Sequence, residues 1–164
     1  MKYIMKSKLI RIQENFWVKN EEGKEVYFLD KKLISIGLRF DIKKDDEIVY
    51  SIKEKIIKLL PFPTYRVLNG EEKVAKVRKQ LSIIKDKIKV SSNKYGDFKI
   101  KGNLFDYSYK IYKDNKVVAK VDKKIFAFTD NYGVDIDFED EAFVLSLVVI
   151  IDDIIDKQRE KKDK

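Results

Sequence analysis

The segment AFVLSLVVIIDDIID, residues 142–156, is the most apolar stretch of the chain and lies close to its C-terminus. From Phe143 to Ile151 only Ser146 is polar, so the run has less than half of the ~20 apolar residues that a membrane-spanning helix needs. Acidic residues precede the run and basic residues follow it, which is the charge order that a helix dipole favours. A helix that is apolar on every side must be enclosed by other elements. A buried strand is the alternative, because Val and Ile are abundant in the run.

The residues before this segment contain a repeated pattern in which apolar and polar residues alternate. In every copy a Val is followed by a small or aromatic residue, and the copies are EVYFLDKKLISIGLRFDI from Glu25, IVYSIKEKIIKLLPFPTYRV from Ile48, KVAKVRKQLSIIKDKIKV from Lys73 and VVAKVDKKIFAFTDNYGVDI from Val117. A period of two predicts β-strands. We expect the inward side chains to be those of Tyr27, Leu29, Tyr50, Ile52, Ala75, Val77, Ala119 and Val121.

Residues typical of turns precede each copy, at 20–23, 44–46, 69–70 and 114–115, so that each unit is a strand, a bend and a strand. A further hairpin is expected in DFKIKGNLFDYSYKIY, with its turn near Gly102 and Asn103. The total is about a dozen short strands, in the range of β-sandwiches and β-barrels. Closure into an antiparallel barrel is favoured, because it removes the two exposed edges of an open sheet. The apolar helix would then lie on the barrel axis.

A chain of 164 residues with two prolines, six glycines and no visible linker is expected to form one domain. We place this barrel domain at 1–157 and a charged, frayed tail at 158–164. Basic residues interrupt the N-terminal segment MKYIMKSKLIRIQENF, so it lacks the apolar centre of a secretory signal. We therefore expect a cytoplasmic location.

Cysteine and histidine are both absent, which excludes disulfide scaffolds, thiol nucleophiles, imidazole bases and nearly every zinc site. GxSxG, GxGxxG and P-loop motifs are absent as well, so we expect no enzyme, no cofactor and no metal. Ser82 and Lys85 form an SxxK pair, but side chains three residues apart on a strand point to opposite faces.

Two acidic clusters are candidate sites. The stretch DIDFEDE from Asp135 has the first ligand spacing of a calcium loop, but it lacks the turn glycine and the final glutamate, which favours a helix N-cap. Asp152, Asp153 and Asp156 could supply paired carboxylates for acid/base chemistry at a barrel mouth. A solvated helix end explains the same three residues more simply.

The formal net charge of +8 favours acidic partners. The alternation places a basic set on the outer face, which could form a positive patch for a phosphate-rich surface: Lys32, Lys53, Lys55, Lys76, Arg78, Lys120 and Lys124. The simpler interpretation is that these positions are solvated and protect strand edges. Specific nucleic-acid binding is not expected, because only Trp17, Phe28 and Tyr112 look available for base stacking.

Several ordered segments resemble the LURP-one-related family, namely YIMKSKL, FWVKNEEGKEVYFL, IKGNLFDYSYKI, NYGVDI and AFVLSLVVIIDDII. The resemblance implies the tubby C-terminal-like fold, a closed barrel of about twelve strands around a hydrophobic helix, shared with tubby proteins and phospholipid scramblases. Members of this family have no established biochemical function, and the resemblance adds only a lead toward phospholipid or phosphoinositide surfaces, since no lipid-binding motif of tubby proteins matches residue by residue. Together with the basic outer set, this lead favours a non-catalytic domain that docks peripherally on such a membrane surface. The alternative is a protein interaction or scaffold module without a lipid role.

Overall fold

The computed structural model describes residues 1–6, 15–32, 36–60, 62–80, 87–123 and 131–164. These residues form twelve β-strands followed by one α-helix. The elements are β1 (Lys2–Lys6), β2 (Phe16–Asn20), β3 (Glu25–Lys31), β4 (Arg39–Lys44), β5 (Glu47–Lys55), β6 (Thr64–Asn69), β7 (Glu72–Gln80), β8 (Lys87–Ser92), β9 (Gly96–Asn103), β10 (Ser108–Lys113), β11 (Lys116–Asp122), β12 (Asn131–Ile136) and α1 (Glu141–Lys162).

The strands form one closed antiparallel barrel in which neighbours in sequence are neighbours in space. Closure is made by β1, which pairs with β2 on one side and with β12 on the other. The closed barrel that the repeat predicted is therefore confirmed. All eight side chains predicted to point inward are buried in the core.

Helix α1 occupies the interior of the barrel, and every residue from Phe143 to Ile151 is fully buried. This confirms the enclosed helix and excludes the buried strand. Asp140 caps the helix, because its Oδ1 accepts a hydrogen bond of 2.9 Å from the backbone N–H of Phe143. The helix continues past residue 157 to Lys162, and Gln158 is buried.

The repeated valine has a structural role that alternation alone does not show. In four hairpins the strand register shifts by one residue, so that one residue of the second strand has no direct partner. The extra residue is in each case the valine of the repeat: Val26, Val49, Val74 and Val118. All four pack against or within the core. Because a β-bulge bends its strand and increases the local twist, four equivalent bulges supply curvature that a closed barrel requires.

The two ends of the barrel differ in their connections. Short turns join the strands at the end where α1 begins, and two of these turns hold two successive residues with positive φ, Asp45–Asp46 and Asp114–Asn115. Positive φ at both central positions defines the type I′ turn that matches the twist of a hairpin. Longer connections lie at the opposite end, which we call the exit end, where Lys157 of α1 contacts Glu54 near the end of β5.

The β9–β10 turn lies later than expected, because β9 continues through Asn103 and the turn falls at residues 104–107. Gly102 is a strand residue with φ of +135°, paired with Tyr109 across the ladder. A Cβ atom at this position would lie 2.5 Å from the carbonyl oxygen of Ser108. Glycine is therefore required here by a close approach of two strands and not by a turn.

Replacing Gly102 by alanine is expected to destabilise the protein by about 2–3 kcal/mol, because both the backbone conformation and the space are incompatible with a Cβ atom. Urea unfolding measures this loss. Gly70→Ala is the matched control, since Gly70 also has positive φ but has open space around it. Its loss should be about 1 kcal/mol. Equal losses in the two variants would contradict the close approach.

Candidate functional site

The outer wall of the barrel carries a continuous row of basic side chains across seven neighbouring strands, β5 to β11. We call it the basic belt, and its members are Lys53, Arg66, Lys76, Arg78, Lys89, Lys99, Lys101, Lys110 and Lys120. The strand register places these residues directly opposite one another, as in Lys53–Arg66, Arg66–Lys76, Arg78–Lys89, Lys89–Lys99, Lys101–Lys110 and Lys110–Lys120. Their sequence neighbours on the same strands point into the core.

Like charges that face each other across a β-ladder are destabilising unless a counter-charge compensates them. Within the described part of the chain, Lys53, Arg66 and Lys76 form no ion pair, and neither do Arg78, Lys89 and Lys99. Lys120 lies 3.9 Å from the Asp122 carboxylate, at the limit of an ion pair. The belt is therefore a row of repulsive contacts that an external anion would relieve.

The structure brings together four of the residues that the sequence predicted for anion binding, Lys53, Lys76, Arg78 and Lys120, and places all four in the belt. Lys55 is exposed on the same face of β5, two residues beyond Lys53. Lys124 lies outside the described residues, as do Ser82 and Lys85. The sequence reasoning missed Arg66, Lys89, Lys99, Lys101 and Lys110, although alternation along their strands could have found them.

Lys32 has a different environment from the belt residues, because internal carboxylates occupy its ammonium group. Its Nζ lies 2.6 Å from Oδ2 of Asp30 and 3.8 Å from Oδ2 of Asp41. Burial disfavours the Asp30 carboxylate, but hydrogen bonds from Lys32 and Lys43 outweigh burial and lower the Asp30 pKa below its ordinary value. The positive charge of Lys32 is therefore already balanced by carboxylates of the protein itself.

At the start of α1, two carboxylates serve the helix and the surrounding tyrosines. Asp140 accepts hydrogen bonds from the hydroxyls of Tyr50, at 2.5 Å, and Tyr95, at 2.6 Å, in addition to capping the helix. Glu141 accepts a hydrogen bond from the hydroxyl of Tyr3. Burial and the nearby Glu141 charge raise the pKa of Tyr27 to about 12. The N-cap interpretation of the acidic stretch is confirmed, and no group of side chains in the described ranges is arranged to hold a metal ion.

At the exit end, the expectation of a solvated helix terminus is wrong. Asp152, Asp153 and Asp156 are each exposed by 2% or less. Asp153 accepts hydrogen bonds from the Tyr65 hydroxyl and from Lys157, whose Nζ lies 2.5 Å from Oδ2 of Asp153 and 2.5 Å from Oε1 of Glu54. We call these four residues the Lys157 network. The barrel wall encloses the helix through Asp156, and Lys157 supplies the counter-charge that permits burial of Glu54 and Asp153.

The electrostatics of the Lys157 network are those of a structural ion pair. Burial raises the pKa of Asp153 above its ordinary value of 3.8, while the ammonium of Lys157 and the hydroxyl of Tyr65 act in the opposite direction. The second carboxylate, Glu54, also accepts a hydrogen bond of 2.6 Å from the backbone N–H of Leu38. Internal donors thus satisfy the carboxylates of Asp153 and Glu54, and the network ties the helix to β5 and β6.

Comparison with known proteins agrees with this architecture. A solved protein structure from Arabidopsis thaliana matches with a TM-score of 0.66 and 19% sequence identity, covering 93% of this chain and 91% of that one. The Bacillus subtilis protein YxjI, described as uncharacterized, is 22% identical over 152 residues, which are 92% of this chain and 91% of its own length. The description of YxjI names no catalytic activity. No helix in the described part of the chain is long and apolar enough to cross a membrane.

The family model described as LURP-one-related matches residues 1–152, which include the whole barrel and most of the enclosed part of the helix. The resemblance seen in the ordered sequence segments is thereby confirmed. The chain belongs to the LURP-one-related family.

Proposed function

We propose that this non-catalytic domain docks on anionic phospholipid surfaces through the basic belt, and that it does so as a peripheral protein in the cytoplasm. The observation that carries the proposal is the register of the belt, in which cations of adjacent strands face each other without internal counter-charges. Membrane phosphates would relieve this repulsion, at about 1 kcal/mol for each basic residue near the surface.

The curvature of the barrel limits how much of the belt a flat membrane can contact. Neighbouring strands are separated by about 4.8 Å, so three adjacent strands present a face about 10 Å wide. The face β5 to β7 carries four belt residues, Lys53, Arg66, Lys76 and Arg78, and the exposed Lys55 adds a fifth cation. The five belt residues of β7 to β9 share their face with the exposed carboxylate of Asp97. We therefore expect the β5 to β7 part of the belt to be the main contact.

Sedimentation with vesicles of phosphatidylglycerol and phosphatidylcholine tests the proposal. The wild-type protein should bind only when the anionic lipid is present. Binding should weaken as the Debye length falls from about 10 Å at 0.1 M salt to about 3 Å at 1 M salt. A test variant reverses three belt residues to glutamate, Lys53, Arg66 and Lys76. At about 1 kcal/mol for each lost contact, its affinity should fall by about a hundredfold or more.

The matched control reverses Lys24, Lys73 and Lys116, three exposed lysines at the end where α1 begins. Each triple variant changes the net charge by three reversals of two charges, from +8 to +2, so the two differ only in position. Equal losses in both variants would show that net charge and not the belt causes binding. Failure of the wild-type protein to bind anionic vesicles at low salt would refute lipid docking. The alternative function, a module that binds another protein, would then remain.

A further inference from the structure

A cavity of about 310 Å³ opens at the exit end, between the β5–β6 connection and the last turns of α1. None of the belt residues lines it, so it forms a separate site. Its apolar wall consists of Ile56, Ile57, Leu60, Phe62, Pro63 and Ile154. The volume lies at the lower end of the range for small-molecule sites, which are concave and mostly apolar with a few placed polar groups.

Four lysines line the same cavity, Lys79, Lys157, Lys161 and Lys164, against two glutamates, Glu54 and Glu160. Among the described residues, this lining therefore carries two more ammonium groups than carboxylates, and Lys157 is shared between Glu54 and the buried Asp153. Two of these ammonium groups lie against the aromatic wall, since Nζ of Lys79 is 4.2 Å and Nζ of Lys161 is 4.9 Å from the centre of the Phe62 ring.

The rim of the cavity exposes apolar side chains that a water-facing loop has no reason to carry. Ile56 is 57% exposed and Leu60 is 41% exposed, both within the β5–β6 connection. Ile36 is 93% exposed, one residue before Gly37, which lies against the Glu54 side chain. Clustered exposed apolar residues mark contact with another apolar surface.

We propose that this cavity binds the acyl chain of an anionic amphiphile, with the carboxylate or phosphate head beside the lysines of the rim. The apolar wall removes the chain from water, and the cationic excess selects the sign of the head. A cationic head would be repelled by Lys161 and Lys164, and a neutral head would gain no charge-assisted hydrogen bond. This inference goes beyond docking through the belt and does not depend on it, because it concerns a single dissolved molecule and no membrane.

Isothermal titration calorimetry with amphiphiles of one chain length, each below its micelle concentration, tests the inference. Decanoate and decyl phosphate should bind saturably, whereas decanol and decyltrimethylammonium should bind at least about tenfold more weakly. A lysophosphatidylglycerol of the same chain length shows whether the bound acyl chain belongs to a phospholipid or to a free fatty acid. Tighter binding than that of decanoate would indicate a phospholipid, and weaker binding would indicate a free fatty acid. Absence of saturable decanoate binding, or equal affinity for the cationic amphiphile, would overturn the proposal.

Two pairs of neighbouring variants locate the site. Leu60→Glu places a carboxylate in the apolar wall and should weaken decanoate binding by about tenfold or more. Leu59→Glu changes a neighbouring side chain that does not line the cavity, so its binding should be unchanged. Lys161 lines the cavity and Lys162 does not, so Lys161→Glu should weaken decanoate binding more than Lys162→Glu. Equal effects within either pair would overturn the assignment.

The same titration separates this inference from the belt. The triple variant of Lys53, Arg66 and Lys76 should bind decanoate like the wild type, even when it no longer sediments with vesicles. Conversely, Leu60→Glu should lose decanoate binding in the absence of any membrane. Circular dichroism spectra that match the wild type establish that each variant is folded. Loss of decanoate binding in the triple variant would contradict a separate site.

Discussion

Replacing Val148 by lysine is expected to leave the domain unfolded under conditions in which the wild type is folded. Val148 is fully buried at the centre of α1, within the closed barrel. A lysine there would bury an ammonium group among apolar side chains, at a cost of several kilocalories per mole even after relaxation. That cost is comparable with the whole stability of a typical domain, about 5–15 kcal/mol. Thermal and urea unfolding followed by circular dichroism measure the loss.

The matched control is Val117→Lys, which makes the same substitution at a valine of β11 that is 41% exposed. Its side chain can keep the ammonium in water, so the change in unfolding free energy should be within about 0.5 kcal/mol. If Val148→Lys kept the melting temperature of the wild type, the helix could not be enclosed as described. The basic belt would then have no defined outer wall to lie on.

The enclosed helix and the closed barrel could be predicted from the sequence because both depend on local patterns. Residues 143–151 are too apolar to face water on any side, and alternation identified most of the strands. The turns were predicted because Asp and Asn tolerate positive φ, as at Asp45–Asp46 and Asp114–Asn115. These sequence patterns can be recognised without knowing which strands pair with each other.

The bulges and the full belt could not be predicted because both depend on strand register. The repeat revealed the recurrent valine, but only the pairing shows that Val74 and its equivalents have no direct partner. Comparison of the four repeats likewise found Lys53 and Lys76 but not Arg66, which lies between them in the barrel. A single strand does not show which cations will face each other.

The acidic end of the helix was predicted wrongly because its partners are distant in sequence. Tyr65 is 88 residues from Asp153, and Glu54 is 103 residues from Lys157. A charged residue near a helix end is usually solvated, and only the tertiary structure shows that this one is enclosed. One local signal was available, since Asp153 and Lys157 have the i,i+4 spacing of a helical ion pair.

Replacing Lys157 by methionine should destabilise the protein by about 3 kcal/mol, because it leaves two buried carboxylates without their cation. The side chains of Glu54 and Asp153 are exposed by only 3% and 2%. We expect a loss near the lower limit for buried ion pairs, since Lys157 itself is 35% exposed. Lys162→Met, an exposed lysine in the last turn of the same helix, is the control and should change stability by less than about 0.5 kcal/mol.

The loss of stability caused by Lys157→Met should depend on pH, and the direction of this dependence follows from the pKa of Asp153. Its pKa in the folded protein is already raised by burial, and removal of the opposing ammonium raises it further. A carboxyl whose pKa is higher in the folded than in the unfolded state stabilises the fold below its unfolded pKa, and this stability is lost as the pH rises through the folded pKa. Lys157→Met should therefore lose more stability at about pH 8 than at about pH 5.

The double variant Asp153→Asn, Lys157→Met decides whether uncompensated charge causes this loss. It removes one carboxylate together with the cation, while the asparagine side chain can still accept a hydrogen bond from Tyr65. It should therefore be more stable than Lys157→Met at about pH 8 and should show a smaller dependence on pH. If the double variant were no more stable than the single one, lost packing and not electrostatic compensation would explain the role of Lys157.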